Sequence, residues 1–168
     1  MKFFLILGNQ LFDPKYLKNY RDHSFFICED YGLCTYEKHH KLKILMFLAA
    51  MREKRDEFQA HGFTVEYVAI DHPKFDQPYE EKLAACILEL EITSLTVFEI
   101  EDKEFEARMQ TFAAEQNLSL TVLPSPMFLL EREEFVALNK KFKALRMGNF
   151  YKEVRKKLNV LMDQITAK

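Results

Sequence analysis

Phe25-Phe26-Ile27-Cys28-Glu29-Asp30 and, a few residues on, Tyr36-Glu37-Lys38-His39-His40-Lys41-Leu42-Lys43-Ile44 form the stretch that decides the fold. An apolar run of strand length opens into an acidic loop and then into a segment of helical period, the pattern of one strand–helix unit of a parallel sheet. Open α/β sheets bind ligands at the carboxyl ends of such strands and in the first turns of the helices that follow. The spacing predicts one helix over 36–61, with His40 on the face shared by Tyr36, Glu37, Lys43 and Ile44. Between Ile44 and Met51 that helix is apolar on every face, so its outer side needs cover. Other elements of this chain are the first expectation, and another domain or subunit is the alternative.

Working outward, apolar runs of strand length recur at 3–7, 24–28, 64–70, 94–98 and 119–123, and segments of helical period follow at 79–90 and 103–117. Gly62 and Asn117 are the expected helix stops. This alternation predicts an α/β fold, a Rossmann-like doubly wound sheet of five parallel strands with the first strand central. Beyond Pro124-Ser125-Pro126 only helical or irregular patterns remain, near 131–145 and 150–165, the latter with Val154, Leu158, Leu161, Met162 and Ile165 at helical spacing. The expected organisation is an α/β domain over 1–126 and a helical extension over 127–168.

A chain of 168 residues, 48% hydrophobic and with sixteen phenylalanines, can bury a sizeable core as one domain. No stretch approaches the roughly 18 apolar residues of a membrane span, and the first apolar run is too short for a signal peptide, so no membrane association and a cytoplasmic location are expected. Cys28, Cys34 and Cys86 show no CxxC spacing, which argues for reduced thiols and against a disulfide framework, a zinc knuckle or a self-contained iron–sulfur site. Adjacent histidines on a helix point about 100° apart, so His39 and His40 are not read as metal ligands, and no metal site is assigned.

Charge is unevenly placed. The segment 139–157 carries Lys140, Lys141, Lys143, Arg146, Lys152, Arg155, Lys156 and Lys157 against the single acid Glu153. Cations interleaved with Phe150 and Tyr151 suit either weak nucleic-acid contact, with Lys152, Arg155 and Lys156 as candidates, or solvated helix faces whose long stems cover apolar surface. Gly8-Asn9-Gln10-Leu11 directly follows the first strand and is either a set of ligand-bonding amides or an ordinary turn. It belongs to no GxGxxG or GxxxxGK[ST] pattern, so nothing announces a dinucleotide or a nucleoside triphosphate. Spacing defines no Ser-His-Asp set, activated cysteine or matched carboxylate pair, and no catalytic residue is assigned.

Taken in order, Leu5-Ile6-Leu7-Gly8-Asn9-Gln10-Leu11, Cys28-Glu29, Tyr36-x-x-His39-His40-Lys41-x-Lys43-Ile44 and Ala50-Met51-Arg52 make a recognisable series. Glu101, Glu104-Phe105, Phe128-Leu129, Glu134-Phe135 and Met147-x-x-Phe150-Tyr151-Lys152-x-x-Arg155-Lys156-Lys157 continue it, with Leu161-Met162. The chain resembles the N-terminal part of deoxyribodipyrimidine photolyase-related proteins, the branch of the cryptochrome/photolyase superfamily that includes bacterial (6-4) photolyases carrying an iron–sulfur cluster. The resemblance implies a Rossmann-like antenna domain, which in some members holds a lumazine chromophore. It also implies that FAD, the cluster and DNA belong to a larger helical domain absent from this chain.

Residue chemistry and resemblance together give an expected cofactor-binding set of Gly8, Asn9, Gln10, Leu11, Cys28, Glu29, Tyr36, His39, His40, Lys43 and Phe47. The expected partner is the missing FAD domain or another subunit, with DNA bound at most weakly and no catalysis by this chain alone. Two alternatives stay open: a free-standing module for a nucleotide, flavin or pterin-like ligand, and a ligand-free interaction domain.

Overall fold

The computed structural model describes residues 1–142 and 144–162; Lys143 of the basic segment and Ile165 of the expected last helix lie outside the described residues. Five strands, β1 (Lys2–Leu5), β2 (Ser24–Cys28), β3 (Thr64–Val68), β4 (Ser94–Phe98) and β5 (Ser119–Leu123), form one sheet in the order β3-β2-β1-β4-β5, every pair parallel. The first strand is central, with Phe3 beside Ser24 on one side and Leu95 on the other. Sheets covered on both faces need strands that are apolar on both, and β2 is buried at every position.

The helices divide between the two faces. α3 (Tyr79–Glu89) and α4 (Lys103–Glu115) bring Tyr79, Leu83, Ile87, Phe105, Met109 and Phe112 onto Phe3, Leu5, Phe26 and Val97. On the other face α2 (Lys41–Ala60) and a 3₁₀ segment, Pro14–Tyr20, bring Met51, Phe58 and Leu17 onto Phe4, Ile6, Phe25 and Ile27. Phe25 stacks on Phe63 at 4.6 Å between centroids and meets Phe58 edge-on at 5.1 Å, and each such buried ring contributes roughly 1.5–3 kcal/mol. Both expected stops take left-handed backbone, Gly62 at φ 79° and Asn117 at φ 54°.

The helix expected over 36–61 is two helices, α1 (Tyr31–Thr35) and α2, separated by an extended turn. Asp30 caps the first by accepting from Leu33 N at 2.7 Å. His40 has extended backbone and caps the second, its Nδ1 accepting from Leu42 N at 3.2 Å. His40 therefore does not share a helical face with Tyr36 and Glu37. Among residues 1–123 the expected internal cover of α2 is not found: Leu42, Leu45 and Met46 are 61–62% exposed, while Met51, facing the sheet, is buried. α2 is an outer layer, and its first turns carry more apolar surface than the sheet beneath can accept.

The chain divides into two compact units, Met1–Leu123 and Pro124–Lys168. The second contains α5 (Arg132–Lys141) and α6 (Met147–Leu158), joined by contact of the Phe135 and Phe150 rings and by ion pairs Lys141–Glu153 at 2.9 Å and Lys157–Glu134 at 2.5 Å. No helix among the described residues is long and apolar enough to cross a membrane.

Candidate functional site

A cavity of about 480 Å³ opens at the carboxyl edge of the sheet, where the exits of β1, β2 and β4 meet the turn between α1 and α2. Strand order reverses at β1, so this is the crevice that a doubly wound sheet offers to ligands. α2 supplies an apolar wall of Ile44, Phe47, Leu48 and Met51, and Ile100 and Phe105 come from the side of β4 and α4. Gly8 packs tightly: a Cβ there would sit 3.0 Å from Met51 Sδ, so a side chain at this point of the loop after β1 would require the Met51 side chain to shift.

Seven of the expected residues line this cavity: Gly8, Asn9, Cys28, Tyr36, His39, Lys43 and Phe47. Lys43 Nζ lies 3.3 Å from His39 Nδ1, and the His39 ring meets Tyr36 edge-on. Gln10, Leu11, Glu29 and His40 do not line it. Gln10 is buried and donates from Nε2 to the Glu99 carbonyl at 2.7 Å and to the Glu101 carboxylate at 3.1 Å. Leu11 packs with the core around Phe4 and Phe98, and His40 is the cap already described.

Glu29 has no exposed side chain. Arg52 Nε and Nη2 donate to its two oxygens at 2.6 and 2.9 Å, the Tyr67 hydroxyl donates at 2.6 Å and the Ile70 amide at 2.6 Å. Burial alone would raise this carboxyl, but those donors, with the Arg52 charge, outweigh it and hold Glu29 below the usual range. The arrangement braces α2 and β3 against the exit of β2 and leaves no acceptor for a ligand.

The expected binding set left out Asp30 and Glu101, although both stand in quoted motifs, and sequence reasoning missed Lys82. Asp30 and Lys82 are almost fully buried, with Nζ 2.5 Å from Oδ2, and Lys82 Nζ also donates to the Phe75 carbonyl at 2.9 Å. Asp30 lines the cavity and Lys82 stands behind it. Its position directly after an apolar strand and before a helix was the available signal for Asp30; a lysine on a later helix gave none. Glu101 also lines the cavity, and Asn9 Nδ2 donates to its Oε2 at 2.9 Å.

Two thiols, Cys28 and Cys34, lie in the wall. Burial pushes the Cys28 thiol up to about 12 and raises Cys34, so both stay protonated at neutral pH. Burial likewise raises the Tyr79 phenol, which reaches the same wall and has no hydrogen-bond partner among the described residues. Apolar walls with a few fixed polar groups are the usual make-up of a small-molecule site.

The model of the deoxyribodipyrimidine photo-lyase-related protein family matches residues 4–167. Among individual proteins, a (6-4) photolyase of Agrobacterium fabrum is 28% identical over 163 residues, which cover 95% of this chain and 32% of that protein. The chain thus spans about a third of the length of the relative it matches.

Proposed function

This chain belongs to the deoxyribodipyrimidine photo-lyase-related family, and we propose that its α/β unit is an antenna-type domain that holds a planar heteroaromatic pigment of the lumazine class in the cavity at the carboxyl edge of the sheet. The observation that carries this reading is the cavity itself: about 480 Å³, within the roughly 300–1,000 Å³ of small-molecule sites, with an apolar wall on α2. The residues present fit such a group. Phe47, Ile44 and Met51 offer the wall for a ring system, and Tyr36, His39 and Lys43 supply polar groups.

A bound pigment of this kind supplies light absorption and passes excitation to a flavin elsewhere. The chain's own residues bind, orient and shield the ring. Light-driven DNA repair or signalling belongs, on this proposal, to the flavin-bearing remainder of a longer protein or to another subunit, docked on the exposed Leu42, Leu45 and Met46 of α2. DNA attachment by this chain is proposed to be weak. In the second unit Arg155 is turned to the Val160 and Leu161 carbonyls and Lys157 to Glu134, which leaves Lys152 and Lys156 as the candidate phosphate contacts.

Fluorescence titration of the full chain with a ribityllumazine tests the reading. Saturable binding is expected, and Ile44→Trp, which places an indole in the cavity, should abolish it. Absence of saturable binding, or binding unchanged by the indole, would overturn it.

A further inference from the structure

We infer that Glu101 sets the charge selectivity of the cavity and excludes ligands with a phosphate or other anionic tail, so that the occupant is an unphosphorylated heteroaromatic. This rests on the reading of the cavity as a pigment site.

In a doubly wound sheet the crevice between the first strand and the strand across the reversal is where an anionic group is received, by amide donors and helix N-termini. Here that place is bridged from within. The loop after β1 contributes Asn9 and Gln10, and the loop after β4 contributes Glu101. Asn9 Nδ2 donates to Oε2 at 2.9 Å, and Gln10 Nε2 reaches Oε1 and Oε2 at 3.1 and 3.2 Å. The side-chain donors best placed for a phosphate already hold a carboxylate, whose negative charge lines the cavity.

The neighbouring helix start gives the same result. The N-terminus of α4 is capped by Asp102, whose Oδ1 accepts from Glu104 N at 2.9 Å and Phe105 N at 3.1 Å, and Asp102 also lines the cavity. An incoming phosphate therefore meets two carboxylates where a phosphate-binding sheet presents free amides. The cation in the wall among the described residues, Lys43, belongs to the start of α2 and to neither of these loops. A neutral polyol or ring edge meets no such penalty, since it can donate to the Glu101 and Asp102 oxygens.

The test compares a ribityllumazine with its terminal phosphate ester on the full chain at low salt. The neutral compound is expected to bind at least about tenfold more tightly, a lower bound on one unit-charge repulsion a few ångströms away near a protein surface. Glu101→Gln keeps the side chain's shape and should narrow the ratio to within about threefold, as should raising the salt. The inference is overturned, with the pigment reading intact, if the phosphate ester binds as tightly as the neutral compound, or if Glu101→Gln leaves the ratio unchanged while its melting temperature matches that of the parent. If neither compound binds, the pigment reading falls and this inference with it.

Discussion

Arg52 grips both oxygens of the Glu29 carboxylate, from Nε at 2.6 Å and Nη2 at 2.9 Å, and so ties the third turn of α2 to the exit of β2. The Cys28-Glu29 and Ala50-Met51-Arg52 motifs, distant in sequence, are two halves of this brace. Arg52→Ala is expected to cost about 1.5–3 kcal/mol, the range for a hydrogen-bonded charge, toward the low end because the guanidinium is half exposed. Arg52→Lys should recover only part, since an ammonium cannot make the two-pronged contact. Urea midpoints at constant slope measure both losses.

The same carboxylate gives an acid limb to the stability curve. An unfolded glutamate titrates at roughly 4.3, and folded Glu29 lies below its ordinary value. Between the two values the unfolded chain binds more protons, so stability rises with pH there. The contribution is complete above the unfolded value and is lost as pH falls through the folded one. Glu29→Gln should therefore be destabilised most at neutral pH and converge on the parent as pH drops below about 4. Parallel curves that never converge would count against it.

Lys82→Met should be among the most damaging substitutions, costing about 3–5 kcal/mol, because it leaves the buried Asp30 carboxylate without its ion partner. Asp30→Asn keeps an acceptor oxygen for the Leu33 amide while removing the charge. The double variant should therefore recover most of the lost stability. Thermal unfolding of the cycle decides it: strictly additive losses would mean the pair is not coupled.

Gly8→Ala should crowd Met51 and cost up to about 1 kcal/mol, because the thioether must shift by a few tenths of an ångström while the unfolded chain loses freedom. In a Met51→Ala background the added methyl has room, so the two losses should fall short of additivity by more than about 0.5 kcal/mol. Denaturant titration of the four proteins supplies the coupling energy.

The sheet was legible because a strand buried on both faces must be an unbroken apolar run, and Phe25 to Cys28 is one. Central placement of the first strand followed from the alternation of strands with helices. The start of α2 was not legible. His39-His40 reads as helix by spacing, whereas His40 competes for the backbone through Nδ1 and ends the extended turn as a cap. Glu29 and Gln10 were singled out as polar groups at strand exits, but their partners, Arg52, Tyr67 and the Glu99 carbonyl, turn them inward. Only three-dimensional neighbours distinguish a ligand contact from a brace, and for Lys82 the neighbour lies on a different layer of the fold.

Central placement of β1 also bears on the chain's order of synthesis. Phe3, Phe4 and Leu5 emerge from the ribosome before every other strand, and their second edge is matched by Leu95, Thr96 and Val97, which emerge after more than half the chain. Until β4 is complete, a strand that is apolar from Phe3 to Leu5 presents an open ladder on one side, a template for pairing with another nascent chain. Closure of the sheet centre therefore waits on the synthesis of β4, and slow elongation anywhere between β2 and β4 prolongs the interval in which aggregation competes with folding.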